Sequence, residues 1–192
     1  MVPIRCGWCG NDELYCHYHD TEWGVPVTDD QKLFETLILE TFQAGLSWIT
    51  VLRKREAFKT AFLNFDPVKM AAMNESDMAV LMQNTGIIRN FAKIRASVNN
   101  ARCFLKMQES GNSLGTFLWR FTDGKTIINK FSSLHELPAK TTLSDRISRE
   151  LKSHGFSFMG STVVYAHMQA TGMVNDHLIS CFRYLELSDN SF

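Results

Sequence analysis

The feature that most constrains what this chain folds into is a pair of half metal sites, one at each end. Cys6 and His19 lie near the N-terminus, His177 and Cys181 near the C-terminus. A helix over Val174-Asn-Asp-His-Leu-Ile-Ser-Cys-Phe-Arg sets His177 and Cys181 on one face, one turn apart. Two Cys and two His in a tetrahedron suit one structural zinc, with no position open for catalysis. Such an ion fastens the two ends of the chain together. The N-terminal spacing is not that of a standard finger, and a buried cysteine beside a surface histidine leaves the same pattern. Spacing alone therefore keeps the ion open.

The 192 residues suit a single domain, 1–192, with a substantial core. At 45% hydrophobic and 21% charged residues the composition is that of a soluble globular protein. No apolar run approaches the roughly 18 residues of a membrane span, and the N-terminus lacks a signal-peptide core. Cys6, Cys9, Cys16, Cys103 and Cys181 form no disulfide framework, so a cytoplasmic, reducing setting is expected. The zero net charge conceals an asymmetry: residues 1–50 carry −6 and residues 51–171 carry +8. The basic segment fits a phosphate-facing surface and equally a set of solvated helix faces.

Periodicity is helical almost throughout, so the fold class is all-α. Thr28-Asp-Asp-Gln31 reads as a capping box before Leu33, Phe34, Leu37 and Ile38. A second helix is expected over about 46–63, after the break at Gly45. Asp66-Pro67 opens another, and Ser76 caps a short one reaching Gln83. The longest runs over about 89–108, with Ile94, Val98, Ala101 and Leu105 on one stripe. Others are expected at 114–121, 144–154, 161–171 and 175–182. Asp123-Gly124 is a weak hairpin signal, and 132–142 reads as a loop over the helices.

Chemistry concentrates in residues 5–50. Trp8, Tyr15, Tyr18, Trp23 and Trp48 are mixed with polar residues rather than set on a helical stripe. Aromatics in loop sequence beside carboxylates describe a stacking pocket, or else a small aromatic core. Glu40 follows Leu37-Ile-Leu and is either a solvated helix-end acid or a buried acceptor. A buried acceptor facing aromatic rings favours an electron-poor, hydrogen-bond-donating, even cationic ligand. Gly155-Phe-Ser-Phe-Met-Gly160-Ser-Thr, between two helices, fits a hairpin that grips a DNA backbone, although ordinary helical hairpins also use glycine.

The segments Arg5-Cys-Gly-Trp, Tyr18-His-Asp-Thr-Glu-Trp-Gly-Val-Pro, Gln43-Ala-Gly-Leu-Ser-Trp-Ile-Thr-Val-Leu, Thr85-Gly-Ile-Ile-Arg-Asn and Val174-Asn-Asp-His together resemble DNA-3-methyladenine glycosylase I. The resemblance runs in order from about Arg5 to Arg183. It implies the helix-hairpin-helix glycosylase fold, with one structural zinc on Cys6, His19, His177 and Cys181. It implies a monomer acting on double-stranded DNA that contains alkylated bases, hydrolysing the N-glycosidic bond of 3-methyladenine in base excision repair.

By the same resemblance Glu40 is the catalytic and recognition acid, and Trp8, Tyr15, Tyr18, Trp23 and Trp48 bind the base. Leu46 offers a side chain to the gap left in the DNA stack, with Gln43 and Gly45 contacting DNA beside it. Gly160, Ser161 and Thr162 contact the backbone. Ser161 and Thr162 stand where bifunctional relatives place a Schiff-base lysine, so no strand cleavage is expected.

Two positions depart from the family pattern or sit apart from it. Cys9 creates Cys6-Gly-Trp-Cys9 and leaves an alternative ligand to Cys6 open. Asp176 lies about where the wider superfold carries a catalytic aspartate, and here it is expected to orient His177 instead. The competing class is a zinc-stabilised helical DNA-binding protein without catalysis, which would protect DNA and release no base. A thiol oxidoreductase using Cys6 and Cys9 would need a strand-then-helix setting that an all-α chain lacks.

Overall fold

Helices dominate the computed structural model, which describes residues 3–188; the outermost residues of the expected 1–192 domain lie outside that range. The described elements are α1 Glu13–Thr21, α2 Asp30–Gln43, α3 Trp48–Leu52, α4 Arg55–Ala61, α5 Pro67–Ala71 and α6 Glu75–Leu81. They continue with α7 Phe91–Glu109, α8 Leu114–Trp119, β1 Ile127–Ile128, α9 Thr142–Ser153, α10 Ser161–Ala170, β2 Val174–Asn175 and α11 Phe182–Ser188. Among the described residues no helix is long and apolar enough to cross a membrane.

The central helix is α2. Leu33, Phe34, Leu37, Ile38 and Phe42 are almost wholly buried, and the helix packs against α3, α7, α8 and α10. Asp29, not Thr28, caps it, its carboxylate accepting from Lys32 N at 2.8 Å. The helix ends where Ala44 turns extended and Gly45 takes φ +81°, a left-handed conformation that suits glycine. Helix α7 carries the expected stripe, with Phe104 rather than Leu105 completing its buried face.

Several boundaries differ from expectation. The helix foreseen over 46–63 is two short helices, α3 and α4, separated near Arg53. Asp66 caps α5 as expected, accepting from Val68 N and Lys69 N. Helix α6 is capped by Asn74 in a reciprocal pair with Asp77, not by Ser76. Asp123 and Gly124 do turn the chain with positive φ, but no hairpin follows. Ile127–Ile128 instead pairs in parallel with the distant Val174–Asn175.

The largest correction concerns 175–182, which is not a helix. Val174–Asn175 is strand, a turn follows, and α11 begins only at Phe182. Buried Asn175 is held on both sides: its Oδ1 accepts from His177 N (3.2 Å) while its Nδ2 donates to Tyr184 O (3.1 Å). Leu178 N donates to Cys6 Sγ at 3.4 Å. The Ile179 N to Asn175 O bond that a helix needs is also lost to tertiary partners: Asn175 O accepts from Asn129 N (3.2 Å) and Ile179 N donates to Phe131 O (3.0 Å).

Helices α9 and α10 form the expected hairpin, with α7 bracing its connection. Asn99 Nδ2 donates to Gly155 O (2.8 Å), and buried Asn100 both accepts from Ser157 N (2.7 Å) and donates to Ser157 O (3.0 Å). Asn100→Ala leaves both Ser157 backbone groups without these partners. We expect a loss of about 2 kcal/mol of stability, read by denaturant unfolding, with helix content intact.

Candidate active site and metal centre

Two of the N-terminal aromatics, Tyr15 and Tyr18, are carried on helix rather than on loop. Asp12 caps α1 by accepting from Tyr15 N at 3.0 Å, and Arg53 holds the same carboxylate at 2.6 Å. Tyr15, Tyr18 and His19 then fall three and four residues apart on one face. The Asn11-Asp12-Glu13 cap was the signal for this helix, masked by the mixed polar pattern that follows. Trp8 sits on the preceding 3-10 turn, its ring centroid 4.8 Å from Tyr15 and 5.0 Å from Trp23.

His19 and its three companions meet at the far side of this wall. The ligand atoms of Cys6, His19, His177 and Cys181 are all buried and lie within 4.8 Å of one another. Cys6 Sγ and Cys181 Sγ are each 3.5 Å from His177 Nδ1, and Cys181 Sγ is 3.5 Å from His19 Nε2. A tetrahedron built on Zn–S bonds near 2.3 Å and Zn–N bonds near 2.05 Å has S–N edges of about 3.5 Å. The geometry therefore fits that ion.

The surrounding hydrogen bonds fix both imidazoles. His19 Nδ1–H donates to Asp20 at 2.8 Å, and Arg5 clamps Asp20 in turn at 2.7 Å. His177 Nε2–H donates to Trp23 O at 3.0 Å. Each ring thus turns its other nitrogen to the centre. The carbonyl of Trp23, not Asp176, orients His177. A hydrogen bond from Cys6 holds the Cys181 thiol far below its usual range, while that bond and burial push Cys6 up. Cys9 is outside the group, its thiol donating to Cys6 O at 3.1 Å. Gly24 passes so close that a Cβ there would lie 3.1 Å from His177 Nε2, and its φ is +82°.

On the opposite side of the aromatic wall lies a cavity of about 170 Å³. Trp8, Tyr15, Tyr18, Trp23, Trp48 and Glu40 all line it, the six residues that the sequence nominated for a base pocket. Leu137 from the 132–142 loop, Ala166 and Gln169 from α10, and Gln43 complete it. Leu137, Ala166 and Gln169 escaped the sequence reading because helical pattern does not say which exposed positions face a distant pocket.

Glu40 is 3% exposed, and its Oε2 is sealed from solvent with no partner among the described residues. Desolvation raises its pKa from 4.5 to about 8, which favours the neutral carboxylic acid at pH 7. Burial, with Glu40 nearby, also pushes Tyr15 and Tyr18 up, keeping both phenols protonated.

A neighbouring cleft joins the end of α2 to the start of α10. Glu40, Gln43, Gly45, Leu46 and Thr162 line it together, and Leu46 is 43% exposed at its edge. Buried Lys93, missed from sequence, braces this loop by donating to Phe42 O (2.8 Å) and Ala44 O (2.6 Å). Gly160 precedes α10 without a side-chain cap, which leaves the first backbone N–H groups of the helix free of one. Ser161 Oγ is tied back to Ser144 Oγ at 2.7 Å.

A buried acid and aromatic walls thus enclose a cavity beside a helical hairpin in a helical fold. Comparison with known proteins sharpens this. A family profile described as methyladenine glycosylase matches residues 8–184, and the chain belongs to that family. It is 50% identical to DNA-3-methyladenine glycosylase 1 of Escherichia coli (strain K12), over 94% of this chain and 96% of that one. It is 49% identical to DNA-3-methyladenine glycosylase of Haemophilus influenzae, over 94% and 97%. Among solved structures, a crystal structure of 3-methyladenine DNA glycosylase I superposes with a TM-score of 0.92 at 51% identity, covering 93% of this chain and 98% of that one. A Staphylococcus aureus 3-methyladenine DNA glycosylase I, solved for the basis of 3-methyladenine recognition, gives 0.89 at 35% identity, covering 93% and 95%.

The raised Glu40 pKa has a stability signature. The folded state holds this proton more tightly than the unfolded chain, so wild type loses stability as pH rises from about 4.5 to about 8. Glu40→Gln lacks that slope. Parallel denaturant melts are expected to show the variant gaining on wild type across that window, by a few kcal/mol at its top.

Proposed function

We propose that this chain is a monofunctional DNA glycosylase that hydrolyses the N-glycosidic bond of 3-methyladenine in alkylated double-stranded DNA, beginning base excision repair. The observation that carries the reading is Glu40, a neutral, unpartnered acid sealed among aromatic rings in a chain of this family. The base must leave the stack to reach such a pocket, which takes a few kcal/mol. Leu46, at the lip of the adjoining cleft, is placed to fill the gap, with Gln43 and Gly45 beside it. Gly160, Ser161 and Thr162 supply backbone donors at the start of α10, suited to a phosphate.

Methylation at N3 gives the nucleoside a positive charge spread over the ring. Brought into the desolvated pocket, that charge favours the carboxylate form of Glu40, which accepts a hydrogen bond from the base. Neutral adenine brings no charge and leaves Glu40 protonated, so discrimination follows from one group's change of state. The alkylated base already departs as a neutral molecule, so the pocket needs no strong acid. An ionised Glu40 is also placed to stabilise positive charge developing on the sugar. Trp8, Tyr15, Tyr18, Trp23 and Trp48 supply stacking surface and exclude water.

Zinc on Cys6, His19, His177 and Cys181 would supply the charge that lets both thiols ionise, and it plays no part in the reaction. Metal analysis is expected to give one zinc per chain. Cys181→Ala should lose it with a large fall in Tm, while Cys9→Ala should keep it. Zinc retained in Cys181→Ala would overturn the ligand set.

The activity test is release of 3-methyladenine from methylated DNA by the purified protein; DNA binding with no base released would make it a DNA-binding protein only. Glu40→Gln is expected to lower release roughly ten- to hundredfold while remaining folded, because a charged hydrogen bond in a desolvated pocket is lost. Glu40→Ala should be lower still. Release at the wild-type rate by both variants would remove Glu40 from the site.

A further inference from the structure

Gln169 is a pocket-lining residue that the sequence did not nominate, and its side-chain amide is not free to turn. Its Nε2 donates to Asp176 Oδ2 at 2.8 Å. Asp176 is 1% exposed, and its carboxylate also accepts from Tyr165 OH at 2.7 Å and from Asn129 Nδ2 at 2.6 Å. Three neutral donors surround it, contributed by α10 and by the residue that follows β1. Burial and this hydrogen bond push the Tyr165 phenol well up, so it stays an O–H donor. A carboxylate so placed demands donors. The alternative amide orientation would set Gln169 Oε1 against Asp176 Oδ2, acceptor against acceptor. Gln169 Oε1 makes no hydrogen bond within the described protein and is not among its sealed polar atoms. The residue itself lines the cavity that Glu40 faces.

We propose that Gln169 determines base specificity by presenting a fixed carbonyl acceptor to the pocket, and that Asp176 is the positioning residue that holds it so. This rests on the glycosylase reading above and adds the part of the base that is read. Glu40 on α2 and Gln169 on α10 then offer two acceptors from different walls. A purine carrying an exocyclic amino group at C6 donates to such a pair. A 6-oxo purine turns an acceptor toward the fixed Gln169 carbonyl and leaves it unpaired, which opposes binding. The aspartate is thereby employed without touching the substrate: its oxygens accept from neutral donors that shape the pocket.

The test compares DNA carrying 3-methyladenine with DNA carrying 3-methylguanine in single-turnover release, beside binding of the two free bases. Gln169 is only half-buried, so Gln169→Leu should fold, checked by Tm and zinc content. It is expected to lower release and binding of the 6-amino base roughly five- to thirtyfold and to leave the 6-oxo base nearly unchanged. Asp176→Asn should shift the same ratio, because a carboxamide no longer forbids the turned amide. The double variant should shift it no further than Gln169→Leu alone. An unchanged ratio in Gln169→Leu, or additive shifts in the double variant, overturns the proposal. If wild type binds the free bases with this preference but releases neither from DNA, the glycosylase reading fails and the Gln169 assignment stands.

Discussion

Four buried ligand atoms from opposite ends of the chain hold the working parts of this protein in register. Cys6 and His19 flank the segment that carries Trp8, Tyr15 and Tyr18, while His177 leans on the Trp23 carbonyl. The same cluster that closes the chain therefore fixes one wall of the pocket. Its outer bonds run on through Asp20 to Arg5, and a backbone donor at Leu178 reaches Cys6 Sγ. Both histidines are oriented by hydrogen bonds from outside the cluster. The wall is short and largely made of side chains from one 3-10 turn and α1. Left to itself it would have little core to rest on, and fastening it to the C-terminal turn anchors it to the helical body.

The opposite wall is α2, and its burial is what makes Glu40 unusual. A carboxyl on the last turns of a solvated helix stays ionised, whereas this one faces a cavity between aromatic rings and holds its proton to about pH 8. Lys93 supplies a cation nearby, but both of its hydrogen bonds here go to the carbonyls of Phe42 and Ala44 and fix the loop that follows Glu40. Charge is thus kept out of the pocket until a ligand brings it. The hairpin α9–α10 meets the same loop across a cleft, so the part suited to gripping a DNA backbone and the part suited to holding a base share a border.

Much of this was legible in the residues themselves. Asp66-Pro67, the long stripe of α7 and the paired glycines of the α9–α10 connection carry their conformations in a few adjacent positions. The aromatics and Glu40 stood out by composition. Their roles came from resemblance in long motifs, not from periodicity. Where local pattern failed, a tertiary partner had intervened. Asn129 N and Phe131 O captured the Asn175 carbonyl and the Ile179 N–H that a helix over 175–182 needed, and Ile127–Ile128 found a parallel partner far along the chain in place of a hairpin. Helix α1 was missed for the opposite reason: its cap was present, but one of its faces is aromatic and lines a cavity instead of joining a simple apolar stripe.

The sequence by itself determined the helical class, the Asp66 cap and the residue types available to the cluster and the pocket, because these depend on side-chain chemistry and on contacts within one or two turns. The tertiary structure alone decided that His177 and Cys181 act from a turn, that Cys9 stays outside the cluster, and that Glu40 is sealed and neutral. It alone turned Asp176 toward Tyr165, Gln169 and Asn129 rather than toward His177. Desolvation and hydrogen-bond competition are properties of surroundings assembled from distant segments, and no spacing along the chain encodes which of them will meet.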